Sequence, residues 1–154
     1  MRQIWIPRTG DANVLEVREA PDPQPGPGEV RIKVDAAGVN FADLMARMGL
    51  YPDAPPLPCV VGYEVGGHID ALGEGIGSER LGQAVIALTR FGGYSSHVVV
   101  PALQAAPVPK GLDTITAASL PVTGLTSWMM LEIMGRVREG DRVLVHSAGG
   151  GVGL

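Results

Sequence analysis

The segment Glu29-Val30-Arg31-Ile32-Lys33-Val34-Asp35-Ala36 decides how most of this chain folds. Its apolar side chains alternate with charged ones over the whole stretch. Because successive side chains of a strand point to opposite faces, the alternation predicts a strand with one buried face. Similar runs predict further strands at Gln3–Pro7, Val14–Glu19, Tyr63–Leu72, Gln83–Leu88 and Ser95–Val100.

Glycine and proline separate these predicted strands. The 154 residues include 22 Gly and 13 Pro, and twelve of the prolines precede residue 110. The run Pro21-Asp22-Pro23-Gln24-Pro25-Gly26-Pro27-Gly28 predicts a stiff, extended connector. Since apolar residues make up 45% of the chain, disorder is not expected. Short strands joined by tight turns predict a small, mostly β barrel or sandwich.

Composition excludes several classes of protein. The formal net charge is −4, from 12 basic and 16 acidic residues, and no basic run suggests a nucleic-acid binder. No apolar stretch is long enough for a membrane helix or for a signal peptide. Cys59 is the only cysteine, so neither an internal disulfide nor a multi-cysteine zinc site is possible. We therefore expect a cytoplasmic protein without membrane insertion.

The pattern changes after residue 110. Asp113–Leu120 predicts a short helix capped by Asp113 or Thr114. Leu125–Met134 predicts a second helix, which is apolar almost all round and is therefore expected to be buried. Arg142–His146 predicts a strand, which leads into a run of glycines.

A strand followed by a glycine-rich turn is typical of a nucleotide phosphate site. Such a turn presents bare backbone N–H groups and a helix N-terminus to a pyrophosphate. In the usual glycine spacing the positions are Ala148, Gly150 and Gly153, so the first glycine is replaced, and a flexible turn is the alternative. The helix and strands expected next lie beyond Leu154. We therefore expect this chain to be the front part of a longer protein.

Five motifs in a fixed order identify a family resemblance. The chain resembles the zinc-independent quinone oxidoreductase (zeta-crystallin-like) branch of the medium-chain dehydrogenase/reductases. The resemblance runs from about residue 14 to residue 154. It rests on Gly38-Val39-Asn40-Phe41-Ala42-Asp43, Gly49-Leu50-Tyr51-Pro52, Pro58–Gly67, Gly140–His146 and Gly150–Gly153.

The resemblance implies a fold and an activity. Residues 1–120 would form a mostly β GroES-like barrel, the catalytic (substrate) domain, and residues 121–154 the incomplete beginning of an NADPH-binding Rossmann domain. The parent protein would be a homodimer that reduces quinones or activated alkenes (enones or enoyl thioesters) by hydride transfer from NADPH. The 154 residues alone are expected to be inactive. The alternative is a non-catalytic GroES-like binding module or an inactive gene fragment.

The resemblance also implies that no zinc is used. In zinc-dependent alcohol dehydrogenases a cysteine stands where this chain has Asn40, a histidine where it has Tyr63, and a third ligand near Thr123. None of the three side chains present is a usual zinc ligand. We expect the three histidines to be structural or surface residues.

Asn40 and Asp43 are the first candidate catalytic residues. Their spacing is that of a helix capping box, and this structural role alone would explain both residue types. The resemblance implies that they also lie near the nicotinamide. The resemblance implies that Tyr51 is the third catalytic residue and also a cofactor contact, and a phenol can donate a proton at neutral pH. A plain aromatic plug in the loop is its alternative.

The remaining candidates follow from the resemblance. Tyr63 would line the substrate cleft, and Glu64 would either join it or bind a backbone amide structurally. Thr126 would lie under the nicotinamide, with helix capping as its alternative. The pyrophosphate would lie against the backbone of Gly149, Gly150, Gly151, Val152 and Gly153.

Overall fold

The computed structural model describes all 154 residues and is built mainly from β-strands. The strands are short, as the frequent glycines and prolines require. In chain order they are β1 (Arg2–Trp5), β2 (Glu16–Glu19), β3 (Glu29–Ala37), β4 (Glu64–Leu72), β5 (Ala84–Leu88), β6 (His97–Pro101) and β7 (Ala105–Pro107). The α-helices are α1 (Phe41–Arg47), α2 (Thr114–Ala117) and α3 (Leu120–Trp128), and α3 continues as a π-helix over Met129–Met134.

Strands β3 to β7 form one antiparallel sheet in the order β6-β3-β4-β5-β7. Two irregularities in the β3–β4 register, at Arg31/Ile32 and at Val34/Ala36, interrupt the ladder. Such bulges bend a strand and increase its twist, and the sheet is curled into a half-barrel. Strands β1 and β2 pair separately as a hairpin. The predicted mostly β fold is confirmed.

The alternation in β3 places its apolar side chains in the main core, as predicted. Val30 and Ile32 are fully buried, whereas Lys33 and Asp35 are exposed. Val30 and Ile32 pack with apolar residues from β4, β5 and β6 in a cluster of ten buried residues. A smaller cluster, Ile6, Ala46, Cys59 and Val61, lies between β1, α1 and the segment that precedes β4.

Helix α2 is shorter than predicted, but its cap is as expected. The carboxylate of Asp113 accepts from the backbone N–H of Thr116 at 2.8 Å and from its hydroxyl at 2.9 Å. These hydrogen bonds lower the pKa of Asp113. The helix lies directly on β4. The two backbones are so close that a Cβ at Gly66 would collide with the carbonyl oxygen of Thr114. A glycine is therefore needed at this crossing.

Two predictions for the C-terminal residues are wrong. Arg142–His146 forms no strand, because no strand among these 154 residues pairs with it. The predicted helix Leu125–Met134 is helical but not buried: Trp128 is 53% exposed and Met134 75%. The amphipathicity argument gave the wrong result because no other element covers this helix. None of the helices is long and apolar enough to cross a membrane.

We predict opposite effects for alanine at two glycines. Gly66→Ala should destabilise the chain by about 1–3 kcal/mol, because the added methyl group pushes α2 off β4. Gly124→Ala should stabilise it by about 0.5–1 kcal/mol, because Gly124 lies inside α3 with open space around it. Urea unfolding followed by circular dichroism measures both. An unchanged midpoint for Gly66→Ala would show that α2 is not seated on β4.

Candidate functional site

The segment Gly62-Tyr63-Glu64, which enters β4, connects the predicted site residues. The backbone N–H of Gly62 donates to Asp43, the ring of Tyr63 contacts Tyr51, and the carboxylate of Glu64 accepts from Asn40. Three consecutive residues therefore contact Asn40, Asp43 and Tyr51, and the middle one is the fourth candidate, Tyr63. In the sequence these candidates lie as many as 23 positions apart. The structure thus links Asn40, Asp43, Tyr51 and Tyr63 around this segment, and their catalytic, cofactor and substrate roles stay predictions.

Asp43 is a buried carboxylate, only 3% exposed, with three donors around it. Its Oδ2 accepts from the backbone N–H of Asn40 at 2.9 Å and from the hydroxyl of Tyr94 at 3.0 Å. Its Oδ1 accepts from the backbone N–H of Gly62 at 3.0 Å. The capping box of α1 predicted from the sequence is present. The same carboxylate therefore caps the helix and fixes the start of β4.

The backbone at Gly62 is confined from two sides. Its φ is +105°, and a Cβ there would lie 2.7 Å from the backbone nitrogen of Tyr94. The Gly62 carbonyl accepts from the hydroxyl of Thr89 at 2.8 Å and from the N–H of Gly93 at 3.1 Å. The Arg90–Tyr94 connection therefore forms part of the support of the site.

Glu64 is the second buried carboxylate, at 2% exposed. Its Oε1 accepts from Nδ2 of Asn40 at 2.8 Å, and its Oε2 accepts from the backbone N–H of Val122 at 2.8 Å. The second of these bonds reaches the first turn of α3. Of the two roles the sequence left open for Glu64, the structure shows the backbone-amide contact and adds the contact with Asn40.

Three aromatic rings, those of Tyr51, Tyr63 and Phe91, form one wall around the residue that precedes Glu64. The ring of Tyr63 meets that of Tyr51 edge-on, with centroids 6.2 Å apart and planes at 83°. Phe91 lies on another side of Tyr63, at 5.3 Å. All three rings are partly exposed. Burial raises the pKa of Tyr63, and the adjacent Tyr51 raises it further. The Tyr63 phenol is therefore a neutral hydrogen-bond donor across the physiological pH range.

Thr126 and the glycine run form a second group of residues on and beside α3. Thr126 is partly buried and lies one helical turn after Val122. The hydroxyl of Ser127 donates to the carbonyl of Val152 at 3.1 Å, and Gly151 lies against the methyl group of Thr123. The structure records no direct contact between Thr126 and the tyrosines. Glu64, through Val122, is the recorded link between the two groups.

The glycine run is a series of exposed turns, not the start of a helix. Gly150 and Gly153 donate to carbonyl oxygens within the run. The backbone N–H groups of Gly149, Gly151 and Val152 make no hydrogen bond in the chain. Space at Gly149 is open, because a Cβ there would meet nothing within 4 Å. Free amides and open space fit the approach of a phosphate group.

The side chains at the expected zinc positions do not fit zinc. Asn40, Tyr63 and Thr123 offer an amide, a phenol and a hydroxyl, and no group of three or more His, Cys, Asp or Glu could hold a metal ion. Two histidines are engaged elsewhere: His68 pairs with Asp35 at 3.0 Å, and His97 lies 3.5 Å from Asp70.

The sequence did not predict most of the contacts that hold the site residues in place. Sequence reasoning assigned Tyr94 and Gly62 no site role, and it did not anticipate that Glu64 holds both Asn40 and α3. One signal was available. Glu64 begins the strand segment Glu64–Gly67, whose other residues are Val and Gly and are buried, and a carboxylate in such a place must be hydrogen-bonded. The signal for Tyr94 was absent, because its contact with Asp43 spans 51 positions.

We predict that Asp43→Asn destabilises the chain by about 2–4 kcal/mol. The NH₂ group of the asparagine would replace one carboxylate oxygen and would face a hydrogen-bond donor instead of accepting from it. Tyr94→Phe is the matched control. It removes one of the three donors and should cost about 1 kcal/mol. Denaturant unfolding compares the two variants. Equal losses would mean that the contacts with Asn40 and Gly62 contribute little.

Alkaline titration tests the two shifted tyrosines. Burial and the nearby Asp43 carboxylate raise the pKa of Tyr94, in the same direction as that of Tyr63. The folded chain therefore holds these protons more tightly than the unfolded chain. The resulting stability is present below pH ~10 and is lost as the pH rises further. Absorbance at 295 nm should show two tyrosines that ionise late, and Tyr94→Phe should flatten the loss of stability. Three ionisations near pH ~10 in a folded chain would contradict this.

Comparison with known proteins identifies relatives of this architecture. Residues 26–110, more than half of the chain, match the family model "Alcohol dehydrogenase GroES-like domain". A mouse relative, the synaptic vesicle membrane protein VAT-1 homolog, is 44% identical over 140 residues, which are 91% of this chain and 34% of the relative. The chain thus spans about a third of the length of this curated relative.

Solved structures agree with the sequence matches. The human VAT-1 homolog-like protein superposes with a TM-score of 0.93 at 36% identity, over 99% of this chain and 50% of that one. A quinone oxidoreductase from Thermus thermophilus, also solved with NADPH, gives a TM-score of 0.84 at 33% identity, over 99% and 47%. The CurK enoyl reductase gives 0.90 at 31% identity, over 99% and 48%.

These relatives share the curled sheet and the identity of many residues along the whole chain. The predicted resemblance to quinone oxidoreductases is confirmed. The chain therefore belongs to the alcohol dehydrogenase GroES-like family, within the medium-chain dehydrogenase/reductase superfamily.

Proposed function

We propose that this chain supplies the substrate side of a zinc-independent, NADPH-dependent reductase of quinones or activated alkenes. Residues 1–120 are its catalytic domain, and residues 121–154 begin the part that binds the cofactor. The observation that carries the proposal is the group of Asn40, Tyr51 and Tyr63. The rings of Tyr51 and Tyr63 contact each other, and Asn40 is bound by the side chain of Glu64, the residue that follows Tyr63. The buried carboxylates of Glu64 and Asp43 hold the Asn40 amide and the backbone of Gly62, on either side of Tyr63 in the chain.

Neutral hydrogen-bond donors suit this reaction. When a quinone or an enone accepts a hydride, negative charge develops on its oxygen. Donors that are already oriented stabilise such charge without reorganising in the transition state. The Tyr51 and Tyr63 phenols and the Asn40 amide are groups of this kind, and a phenol can also deliver the proton that completes the reduction. No side chain of the group has to be ionised.

The residues around the glycine run fit NADPH. The hydride is the chemistry that this cofactor supplies when bound. The free N–H groups of Gly149, Gly151 and Val152 would hold its pyrophosphate, and Ser127 fixes the run by binding the carbonyl of Val152. Thr126, on the same helix, would position the nicotinamide together with Tyr51. The solved quinone oxidoreductase from Thermus thermophilus forms a complex with NADPH, which supports the choice of cofactor.

The nature of the acceptor follows from the wall of the site. Tyr51, Tyr63 and Phe91 present aromatic surface, and no basic side chain contacts these rings except Arg90 at 6.0 Å from Phe91. A flat, apolar, conjugated acceptor suits such a wall better than a small charged one. Similarity to a quinone oxidoreductase and to an enoyl reductase supports the same class.

The test is a reductase assay on the protein purified from its native gene. We expect NADPH oxidation, followed at 340 nm, with 1,4-benzoquinone or 2-cyclohexenone as acceptor. Tyr51→Phe should lower kcat by roughly 10²-fold or more if the phenol delivers the proton. Ser78→Ala removes an exposed hydroxyl from a distant turn and serves as the control. Turnover with neither acceptor, or an unchanged kcat for Tyr51→Phe, would contradict the proposal or this role of Tyr51.

A further inference from the structure

Glu64 is the one buried carboxylate that contacts both a candidate site residue and a different helix. It touches Asn40 through one oxygen and the first turn of α3 through the other. We propose that Glu64 is a positioning residue that holds the Asn40 amide in one orientation and couples that orientation to the docking of α3. The inference rests on the proposed function, because it concerns the site in which Asn40 acts.

The orientation follows from the chemistry of the two groups. An ionised carboxylate has acceptors only, whereas an amide has donors on nitrogen and an acceptor on oxygen. Asn40 can therefore face Glu64 only with Nδ2, and the reversed amide would set two oxygens against each other. One Nδ2 hydrogen bonds Glu64 at 2.8 Å. The second N–H remains for a ligand, so the amide offers the site a donor that suits the carbonyl oxygen of a quinone or enone.

Glu64 itself has little freedom to move. Its side chain is 2% exposed, and a Cβ at Gly38 would collide with its carboxylate. The backbone N–H of Gly38 also donates to the carbonyl of Glu64 at 3.2 Å, so the backbone of Glu64 is held at the same place as its side chain. A carboxylate confined in this way transmits a displacement at one oxygen to the group bound at the other.

Coupling to α3 gives this arrangement a consequence for binding. Val122 donates its backbone N–H to Glu64, and Thr126 lies one turn further along the same helix. A shift of α3 that breaks the Val122 contact leaves one oxygen of this buried carboxylate without a donor, which disfavours the arrangement in which Glu64 orients Asn40. The donor of Asn40 is therefore in place only while α3, with its proposed nicotinamide contact, is docked.

Nuclear magnetic resonance on the labelled 154-residue chain tests the coupling without any cofactor. In Glu64→Gln the side chain keeps its shape, but its NH₂ group must face one of the two donors. We expect the Nδ2 signals of Asn40 to move and hydrogen exchange at the Val122 amide to rise about tenfold, as for the loss of one hydrogen bond. Glu74→Gln, an exposed glutamate on a turn, is the matched control and should change neither signal.

A second variant keeps the test decisive if Glu64→Gln does not fold. Asn40→Ala leaves Glu64 charged and never touches Val122, yet coupling predicts faster exchange at the Val122 amide. The amide of Ile32 in β3 should stay protected in every variant and reports on folding. Unchanged Asn40 signals and Val122 exchange in folded Glu64→Gln, or unchanged Val122 exchange in Asn40→Ala, would overturn the proposal.

The reductase assay separates this inference from the proposed function. If the reductase function is correct, Glu64→Gln should lower kcat, because the lost orientation acts on the reacting oxygen. If the variants change the Asn40 signals and the Val122 exchange as expected but the wild-type protein shows no turnover, the proposed function is contradicted and the coupling through Glu64 is still supported. Turnover of Glu64→Gln equal to wild type would contradict the positioning role.

Discussion

Two buried carboxylates, Asp43 and Glu64, determine the geometry around the entrance to β4. A carboxylate removed from water is strongly unfavourable unless donors surround it. Asp43 has three donors and Glu64 has two, and all but the backbone N–H of Asn40 come from distant parts of the chain. The need to satisfy these charges therefore brings α1, the loop at Tyr94, and α3 to the same strand.

The sheet makes these contacts possible through close backbone approaches. Gly62 lies against the backbone of Tyr94, Gly66 against α2, and Gly38 against the carboxylate of Glu64. Any side chain at these positions would separate elements that the buried charges must hold together. The glycine content of the first part of the chain thus serves packing as well as turns, and the rigid support of the site follows from both.

Sequence reasoning succeeded where one local rule decided the outcome. The alternation of Val30 and Ile32 with charged residues placed β3 correctly, and the Asn40 to Asp43 spacing identified the capping box. It failed where the outcome depends on a distant neighbour. Arg142–His146 has strand composition but no pairing partner among the described strands, and Trp128 lies in a helix that no other element covers. The partners of Glu64 were hidden for the same reason, since Val122 is 58 positions away.

The parts of the site differ in how firmly the chain holds them, and this difference bears on specificity. Asn40 is fixed by its hydrogen bond to the buried Glu64, so in the proposed reaction its amide suits the place where negative charge develops, whereas Asp43 supports the backbone around it. Tyr51 belongs to the loop after α1 and meets Tyr63 only by an edge contact of the rings. Phe91 lies in another connection between strands. Substitutions confined to the side chains of Tyr51 and Phe91 remove no hydrogen bond of the two carboxylates, so under the proposed function the choice of acceptor is expected to depend on these aromatic side chains and the chemistry on the strand end.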